Sequence, residues 1–126
     1  MDAVKARDCA LVLVDYQSRL MPAIHDAAAV VANGVLLARA ARVLDIPVLG
    51  TEQNPTGLGP NVVKIRAECQ ATLAKTHFDA CADGLIEALH DAKPTGDQVV
   101  VAGCEAHVCM MQTALGLLRA GKRVWG

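Results

Sequence analysis

Three polar residues, Asp15, Lys75 and Cys109, lie at or just after the ends of short apolar runs that predict strands. Parallel strands finish at one edge of a sheet, where open α/β folds bind their ligands, so these side chains are expected to lie close together. A carboxylate can take the proton of a thiol, and a neighbouring ammonium group stabilises the thiolate that results. The sequence therefore indicates nucleophilic catalysis by Cys109, with Asp15 and Lys75 as its partners.

Each of the three residues also has an ordinary structural interpretation. An aspartate that ends a buried strand is often a turn or cap residue, and most lysines are solvated surface charges. Free cysteine is among the most buried residue types. Cys109, however, falls where a strand passes to a helix, and the unpaired N–H groups of a helix start favour a thiolate. The agreement of three such positions is stronger than any one of them.

The alternation of predicted strands and helices indicates an α/β fold with a parallel, doubly wound (Rossmann-like) sheet and helices on both faces. The predicted strands are 10–14, 46–51, 71–76 and 97–103. The predicted helices are 27–44, 84–92 and 108–120. The stretch 52–60 is rich in Gly, Pro and Asn and predicts a loop. We expect Asp26 and Asp83 to cap the first two helices.

Helical periodicity predicts which side chains face the sheet. They are Val30, Gly34, Leu37, Ala41 and Leu44 in the first helix, Leu85, Ile86 and Leu89 in the second, and Met111, Leu115 and Leu118 in the third. The last residues, 122–126, resemble the opening of a further strand with no helix after it. Because a parallel strand is buried on both faces, we expect 1–126 to be a single domain that is incomplete at its C-terminus.

Composition limits the partners of the chain. It has 126 residues, a net charge of −1 and only one each of Trp, Tyr and Phe. Without a basic stripe or stacking aromatics, nucleic-acid binding is not expected. The apolar run 10–14 is too short for a membrane span or a signal segment. Five cysteines without a CxxC pair predict free thiols in a reducing compartment, so we expect a cytoplasmic protein.

The segments around the three candidate residues resemble the signature segments of the isochorismatase-like cysteine hydrolase family. Asp15 lies in LVLVDYQ, Lys75 in AKTHFD and Cys109 in AGCEAHVCMMQTA, in the family's order and separation. The resemblance implies a three-layer α/β/α fold around a six-stranded parallel sheet. It also implies that Cys109 attacks a carbonyl carbon, that Asp15 moves the protons and that Lys75 balances the charge of that pair. Family members are usually oligomeric, so we expect a homo-oligomer that acts on a small-molecule substrate.

The resemblance further implies an oxyanion hole made by the backbone N–H groups of Glu105 and Cys109. By the same analogy, the peptide bond between Cys104 and Glu105 is expected to be cis.

Several residues near the triad are candidates for substrate binding. Tyr16 and Gln17 follow Asp15, and Phe78 follows Lys75, which suits an apolar pocket wall with a few polar groups. Glu105 and His107 lie between the predicted strand and Cys109 and could line the same pocket. Aromatic side chains in such positions are nevertheless core residues more often than ligand contacts.

Two departures from other branches of the family narrow the expected chemistry. Nicotinamidases carry a metal-binding Asp and His cluster after the second strand, whereas TEQNPTGLGP here contains no histidine. Isochorismatases that cleave a vinyl ether lack the nucleophilic cysteine. The chain therefore resembles the metal-free branch, with no cofactor, and Cys109 favours hydrolysis of an amide or related C–N bond through a thioester. A zinc cluster of Cys104, Glu105, His107 and Cys109 is disfavoured, since residues this close rarely close a tetrahedron.

Two alternatives of a different class stay open. If the C-terminal part of the fold is missing, the chain could serve as a non-catalytic scaffold or oligomerisation module that covers its open edge with another subunit. It could also be a thiol redox sensor that uses Cys104 and Cys109, because a reactive thiol serves a sensor as well as a hydrolase.

Overall fold

The structure, a computed structural model, describes residues 3–126 and contains a five-stranded parallel sheet in the order β3-β2-β1-β4-β5. The strands are β1 Cys9–Val14, β2 Val48–Gln53, β3 Ala71–Lys75, β4 Gln98–Gly103 and β5 Arg123–Trp125. The predicted α/β class is confirmed, and the described residues form five of the six strands that the family resemblance implied. The predicted extra strand at the end of the chain is confirmed as β5, which pairs with β4.

Helices cover both faces of this sheet. The α-helices are α1 Ala27–Val43, α2 Pro55–Leu58, α3 Val63–Arg66, α4 Leu85–Ala92 and α5 Met111–Arg119. A π-helical turn, Ala106–Met110, precedes α5. Short 3₁₀ helices lie at Ala6–Asp8, Met21–Ala23 and Ala80–Asp83. In the described part of the chain, no helix is long and apolar enough to cross a membrane.

The central strand β1 divides the hydrophobic core in two. All of its residues are buried, as expected for a strand with helices on both sides. Leu11 and Leu13 pack on the side of α1 and α3, whereas Val12 and Val14 pack on the side of α4 and α5. Successive strand residues point to opposite faces, so this alternation creates the three layers.

The buried face of α1 agrees with the predicted one only at its small residues, Gly34 and Ala41. Its buried residues are Gly34, Ala38 and Ala41, while Leu37 and Leu44 are exposed. A side chain at Gly34 would lie 2.9 Å from Ile65 and 3.0 Å from the Tyr16 ring. Small residues therefore let α1 approach the layer beneath it, and the larger apolar residues that dominate the periodicity lie beside this contact.

The predicted inner face of α5 is also wrong. Met111, Leu115 and Leu118 are exposed, and the buried residues are Thr113, Gly116 and Leu117. By contrast, the face predicted for α4 holds: Leu85 and Leu89 are buried, and Ile86 packs against the same core. The prediction for α5 failed because it followed other large apolar side chains, whereas Leu117 makes the contact together with a polar and a small residue, Thr113 and Gly116.

Neither predicted aspartate cap forms. Asp26 precedes α1 with a left-handed backbone, and its side chain accepts no capping hydrogen bond. Gly84, not Asp83, is the N-cap of α4, with φ of 104°. The Asp83 carboxylate instead accepts hydrogen bonds from the N–H groups of Thr76 and His77, at 3.0 Å each, and so holds the loop after β3.

The predicted loop 52–60 is only partly irregular. Strand β2 continues through Gln53, and Pro55–Leu58 forms a short helix. Since strands of a parallel sheet end at a common edge, this extension brings Gln53 level with Lys75, its partner in register on β3.

Candidate active site

A buried ion pair joins the first two predicted residues. Lys75 Nζ lies 3.0 Å from Asp15 Oδ2, and the two side chains are 0% and 2% exposed. Strand β2 lies between β1 and β3, so the lysine reaches across it to meet the aspartate. Thr51 on β2 donates a hydrogen bond of 2.7 Å to Asp15 Oδ1. Oδ1 thus accepts a hydrogen bond, whereas Oδ2 is held by its ion pair with Lys75 and accepts no hydrogen bond.

Oxygen atoms surround the ammonium group of Lys75. Beside Asp15, it donates to Gln53 Oε1 at 2.5 Å and approaches the carbonyls of His77 at 3.3 Å and Phe78 at 3.4 Å. A charged amine removed from water is tolerated when its donors are paired and a counter-charge is near. These contacts supply both conditions.

Cys109 lies in the π-helical turn before α5, buried, with Sγ 3.9 Å from Gln53 Oε1. Burial and the nearby Asp15 carboxylate raise the pKa of its thiol to about 11, against the opposing effect of Lys75. The expected stabilisation of a thiolate by a helix start is therefore wrong for this state, because α5 begins only at Met111 and the sulfur is shielded from water. Cys109 therefore carries a neutral thiol near the Asp15 carboxylate.

The structure thus brings together Asp15, Lys75 and Cys109. It adds two residues that the sequence analysis missed, Thr51 and Gln53, both on β2. Thr51 ends the predicted strand 46–51 at the same sheet edge as Asp15, a position that could have indicated it, whereas Gln53 lies in the stretch predicted as a loop.

Gln17 and Tyr16 are buried next to the site and contact the surrounding protein. The Gln17 amide clamps the backbone of Gln53: it accepts from the N–H at 2.8 Å and donates to the carbonyl at 2.8 Å. A second bond from Gln17 reaches the carbonyl of Gly59 at 2.7 Å. Tyr16 is buried against α1, and burial raises its pKa to about 12. Both side chains are therefore occupied within the protein.

The other predicted binding residues lie nearer the surface. Phe78 and His107 are exposed and Glu105 is half-buried. The backbone of the Phe78 loop is fixed by Thr113 on α5, whose hydroxyl donates to the Phe78 carbonyl at 3.2 Å and accepts from the Ala80 N–H at 3.1 Å. This loop links the carbonyls that face Lys75 to the helix that follows Cys109.

The peptide bond between Cys104 and Glu105 is not cis, since the described residues contain no cis peptide bond. The chain turns here through the left-handed backbone of Glu105, with φ of 51° and ψ of 57°. The cis bond that the analogy implied is therefore wrong, and a left-handed residue makes the turn instead.

Cys104 and Cys109 lie in different halves of the core. Cys104 packs with the α1 layer, its Sγ 3.9 Å from Met21 Sδ, whereas Cys109 packs with the α4 and α5 layer. All five cysteines are free. In the described residues, no group of three or more His, Cys, Asp or Glu side chains is arranged to hold a metal ion.

Comparison with known proteins gives the wider context of this geometry. A family model described as "Isochorismatase domain" matches residues 9–126. Isochorismatase domain-containing protein 2 from Danio rerio is 39% identical over 116 residues, which are 90% of this chain and 57% of that protein. The chain spans about half the length of the curated relatives that it matches.

Two solved structures share the fold. One, named MAR1 ribonuclease from Caenorhabditis elegans, is 31% identical with a TM-score of 0.86, covering 98% of this chain and 64% of that one. Another, an octameric hydrolase of unknown specificity from Escherichia coli, is 26% identical with a TM-score of 0.84, covering 96% and 62%.

Proposed function

The chain belongs to the isochorismatase family, and on that premise we propose that it is a cysteine-dependent hydrolase of a small-molecule amide or related C–N bond. The observation that supports this best is the buried pair of Asp15 and Lys75 next to Cys109. A buried base beside a protonated thiol, with a fixed cation at the base, is what nucleophilic catalysis by cysteine requires.

Acylation begins with transfer of the Cys109 proton to Asp15. The sulfur then bonds to the substrate carbonyl carbon, and the carbonyl π electrons move to its oxygen. When the tetrahedral intermediate collapses, the C–N bond breaks and the amine leaves with the proton that Asp15 held. The product of this half-reaction is a thioester on Cys109.

Deacylation uses the same base. Asp15 takes a proton from water while the water oxygen attacks the thioester carbon; the C–S bond then breaks, and the sulfur recovers the proton from Asp15. Lys75 keeps the carboxylate in place and balances its charge through both steps. We propose that these groups suffice for the reaction without a cofactor.

The oxyanion is assigned to the backbone N–H groups of Glu105 and Cys109. Donors fixed where negative charge develops are among the largest contributions to acyl transfer. Among the substrate-binding candidates, Phe78, Glu105 and His107 remain as contacts because their side chains are exposed or half-buried. For Tyr16 and Gln17, a supporting role fits better, since their polar or ring atoms are engaged inside the protein.

Limited alkylation tests this proposal. Native protein is treated with limiting iodoacetamide at neutral pH, and the modified cysteines are mapped in the parent chain, Asp15→Asn and Lys75→Ala. We expect Cys109 to react ahead of the other thiols and its rate to change in both variants. Cys81 is the internal control: it is half-buried, and burial raises its pKa to about 12. Equal labelling of all thiols, or a silent Cys109, contradicts the activated nucleophile.

A panel of small amides, followed by release of ammonia, tests the reaction itself. We expect release with at least one amide and its loss in Cys109→Ser. A mild peroxide treatment addresses the sensor alternative, which requires a disulfide between Cys104 and Cys109. The packing of these residues in separate halves of the core argues against that bond.

We also propose that the chain forms a homo-oligomer. The outer faces of α1 and α3 expose large apolar side chains, with Leu36 68% and Val63 82% exposed on a shared groove. Contiguous exposed apolar surface of this kind is typical of a protein interface. Light scattering coupled to size exclusion checks this, with Val63→Asp expected to reduce the measured mass and a purely monomeric parent chain contradicting it.

A further inference from the structure

The side-chain oxygen of Gln53 lies between the ammonium group of Lys75 and the thiol of Cys109. Gln53 Oε1 is 2.5 Å from Lys75 Nζ and 3.9 Å from Cys109 Sγ. The same atom is therefore a partner of the ammonium group and of the thiol. As an amide oxygen, it can accept a hydrogen bond from either group but cannot donate one.

Gln53 is fixed in this position from three directions. The Gln17 amide holds its backbone N–H and carbonyl at 2.8 Å each. Its own Nε2 donates to the carbonyl of Thr76 at 3.2 Å. The amide nitrogen is thereby turned away, and Oε1 must face Lys75 and Cys109.

We propose that Gln53 is a positioning residue that competes with Cys109 for the ammonium group of Lys75, and so keeps the resting nucleophile protonated. This inference rests on the proposed function of the same site. Lys75 has three N–H donors, and the oxygens of Gln53, His77 and Phe78 accept hydrogen bonds from them, while Asp15 Oδ2 lies 3.0 Å away as the counter-charge. A thiolate at Cys109 would have to displace one of these oxygens to gain the ammonium as a partner.

The electrostatics of the thiol agree with this arrangement. The charged groups that act on Cys109 are Asp15 at the end of β1 and Lys75 at the end of β3. Burial and Asp15 raise the pKa of the thiol to about 11 against the opposing effect of Lys75. With Lys75 directed at Asp15 and Gln53, the thiol keeps its proton until an electrophile, such as a substrate or iodoacetamide, reaches the sulfur, and Asp15 then accepts the proton.

Two kinds of substitution at Gln53 are expected to act in opposite directions. Gln53→Met keeps the volume but removes the acceptor, which frees an N–H of Lys75 to pair with a thiolate at Cys109. Gln53→Glu keeps an acceptor but adds a negative charge beside the sulfur. A residue that merely supports the fold would change the reactivity of Cys109 in the same direction in both variants.

The test is the pH profile of Cys109 alkylation by iodoacetamide, with circular dichroism as the check of folding. We expect the midpoint to move down by about 1 unit in Gln53→Met and up by about 1 unit in Gln53→Glu, the size of shift that neighbouring charges produce. Gln53→Leu replaces the methionine variant if that one does not fold. Unchanged midpoints, or shifts of one sign in both variants, overturn the proposal.

Gln98→Met is the matched control. Gln98 is also buried, and its Oε1 accepts from the Lys5 N–H at 2.7 Å, but it begins β4 at the opposite edge of the sheet. We expect its Cys109 profile to match the parent. If Asp15→Asn and Lys75→Ala alter the profile while the Gln53 variants do not, the proposed function stands and the role of Gln53 falls. If Cys109 reacts like Cys81 in every variant, both fall.

Discussion

The ion pairs at the two edges of the sheet differ in their exposure to solvent. At the carboxyl edge, Lys75 and Asp15 form an ion pair that is 0% and 2% exposed. At the amino edge, Arg123 and Asp97 form an ion pair with N···O of 3.0 Å whose side chains are 42% and 51% exposed. The distances are the same, and only the surroundings differ.

This difference shows where the protein accepts a cost. Removing two ions from water is expensive, and a buried pair adds little net stability compared with an apolar one. A solvated pair costs little and contributes little. The low stability gain of a buried pair agrees with the catalytic role that we propose for Asp15 and Lys75. The following predictions test that difference.

Lys75→Met is expected to have the largest effect on stability. It leaves the Asp15 carboxylate buried without its counter-charge, which costs about 3–5 kcal/mol in comparable buried pairs. Urea denaturation at pH 7 measures the change in the free energy of unfolding. The double variant with Asp15→Asn removes the orphaned charge and should recover part of the loss. A loss below about 1 kcal/mol in the single variant would place the pair in effective contact with solvent.

Thr51→Val should have the next largest effect. The change keeps the side-chain shape but removes the donor at 2.7 Å from Asp15 Oδ1. A hydrogen bond to a charged group contributes about 1.5–3 kcal/mol, so we expect a loss in that range by urea denaturation, with slower deacylation of an amide substrate. Thr76→Val, at an exposed threonine outside the strand, is the control. Equal behaviour of the two variants would refute the role of Thr51.

Alkaline pH should lower the stability of the protein through cysteines at both edges, and this effect is smaller than those of the two substitutions above. Burial raises the pKa of Cys109 to about 11 from an ordinary value of 9.0, so its contribution to stability is complete below about 9 and is lost as pH rises to about 11. At the amino edge, burial also raises the pKa of Cys9, but a backbone hydrogen bond and Lys93 oppose the rise. Thermal melts from pH 8 to 11 should therefore fall less steeply in Cys109→Ser than in Cys9→Ser. The reverse order contradicts this.

Asp97→Asn should have the smallest effect. Its partner Arg123 is solvated, and exposed pairs are screened by water and salt. We expect the melting temperature and the alkylation rate of Cys109 to equal those of the parent within measurement error. A marked loss in either quantity would show that the amino edge is coupled to the site.

The strands and the triad were predictable because their signals are local. The strands are indicated by short apolar runs that end at Asp15, at Lys75 or at the turn before Cys109. Each run also indicates the edge of the sheet where its strand ends. A parallel sheet then brings those ends together, although Lys75 and Asp15 are not on adjacent strands. The geometry of the pair follows from topology more than from any single motif.

What the sequence did not reveal depends on contacts between elements. The inner face of α5 is formed by Thr113 and Gly116, because Thr113 bonds the Phe78 loop and Gly116 leaves room for the Asp79 carboxylate. Hydrophobic periodicity cannot detect a threonine or a glycine chosen for such reasons. The raised pKa of Cys109 is likewise set by burial, which depends on the packed structure rather than on the position of the residue at a helix start.

The position of β2 between β1 and β3 has a consequence for the order of assembly. Asp15 and Lys75 can meet only after β2 has docked on both neighbours, since the lysine passes over it. Until then both ions remain hydrated. Their pairing therefore contributes no favourable free energy early in folding, when closing a long stretch of chain costs entropy. We therefore expect the ion pair to form late in folding, after the three strands have assembled.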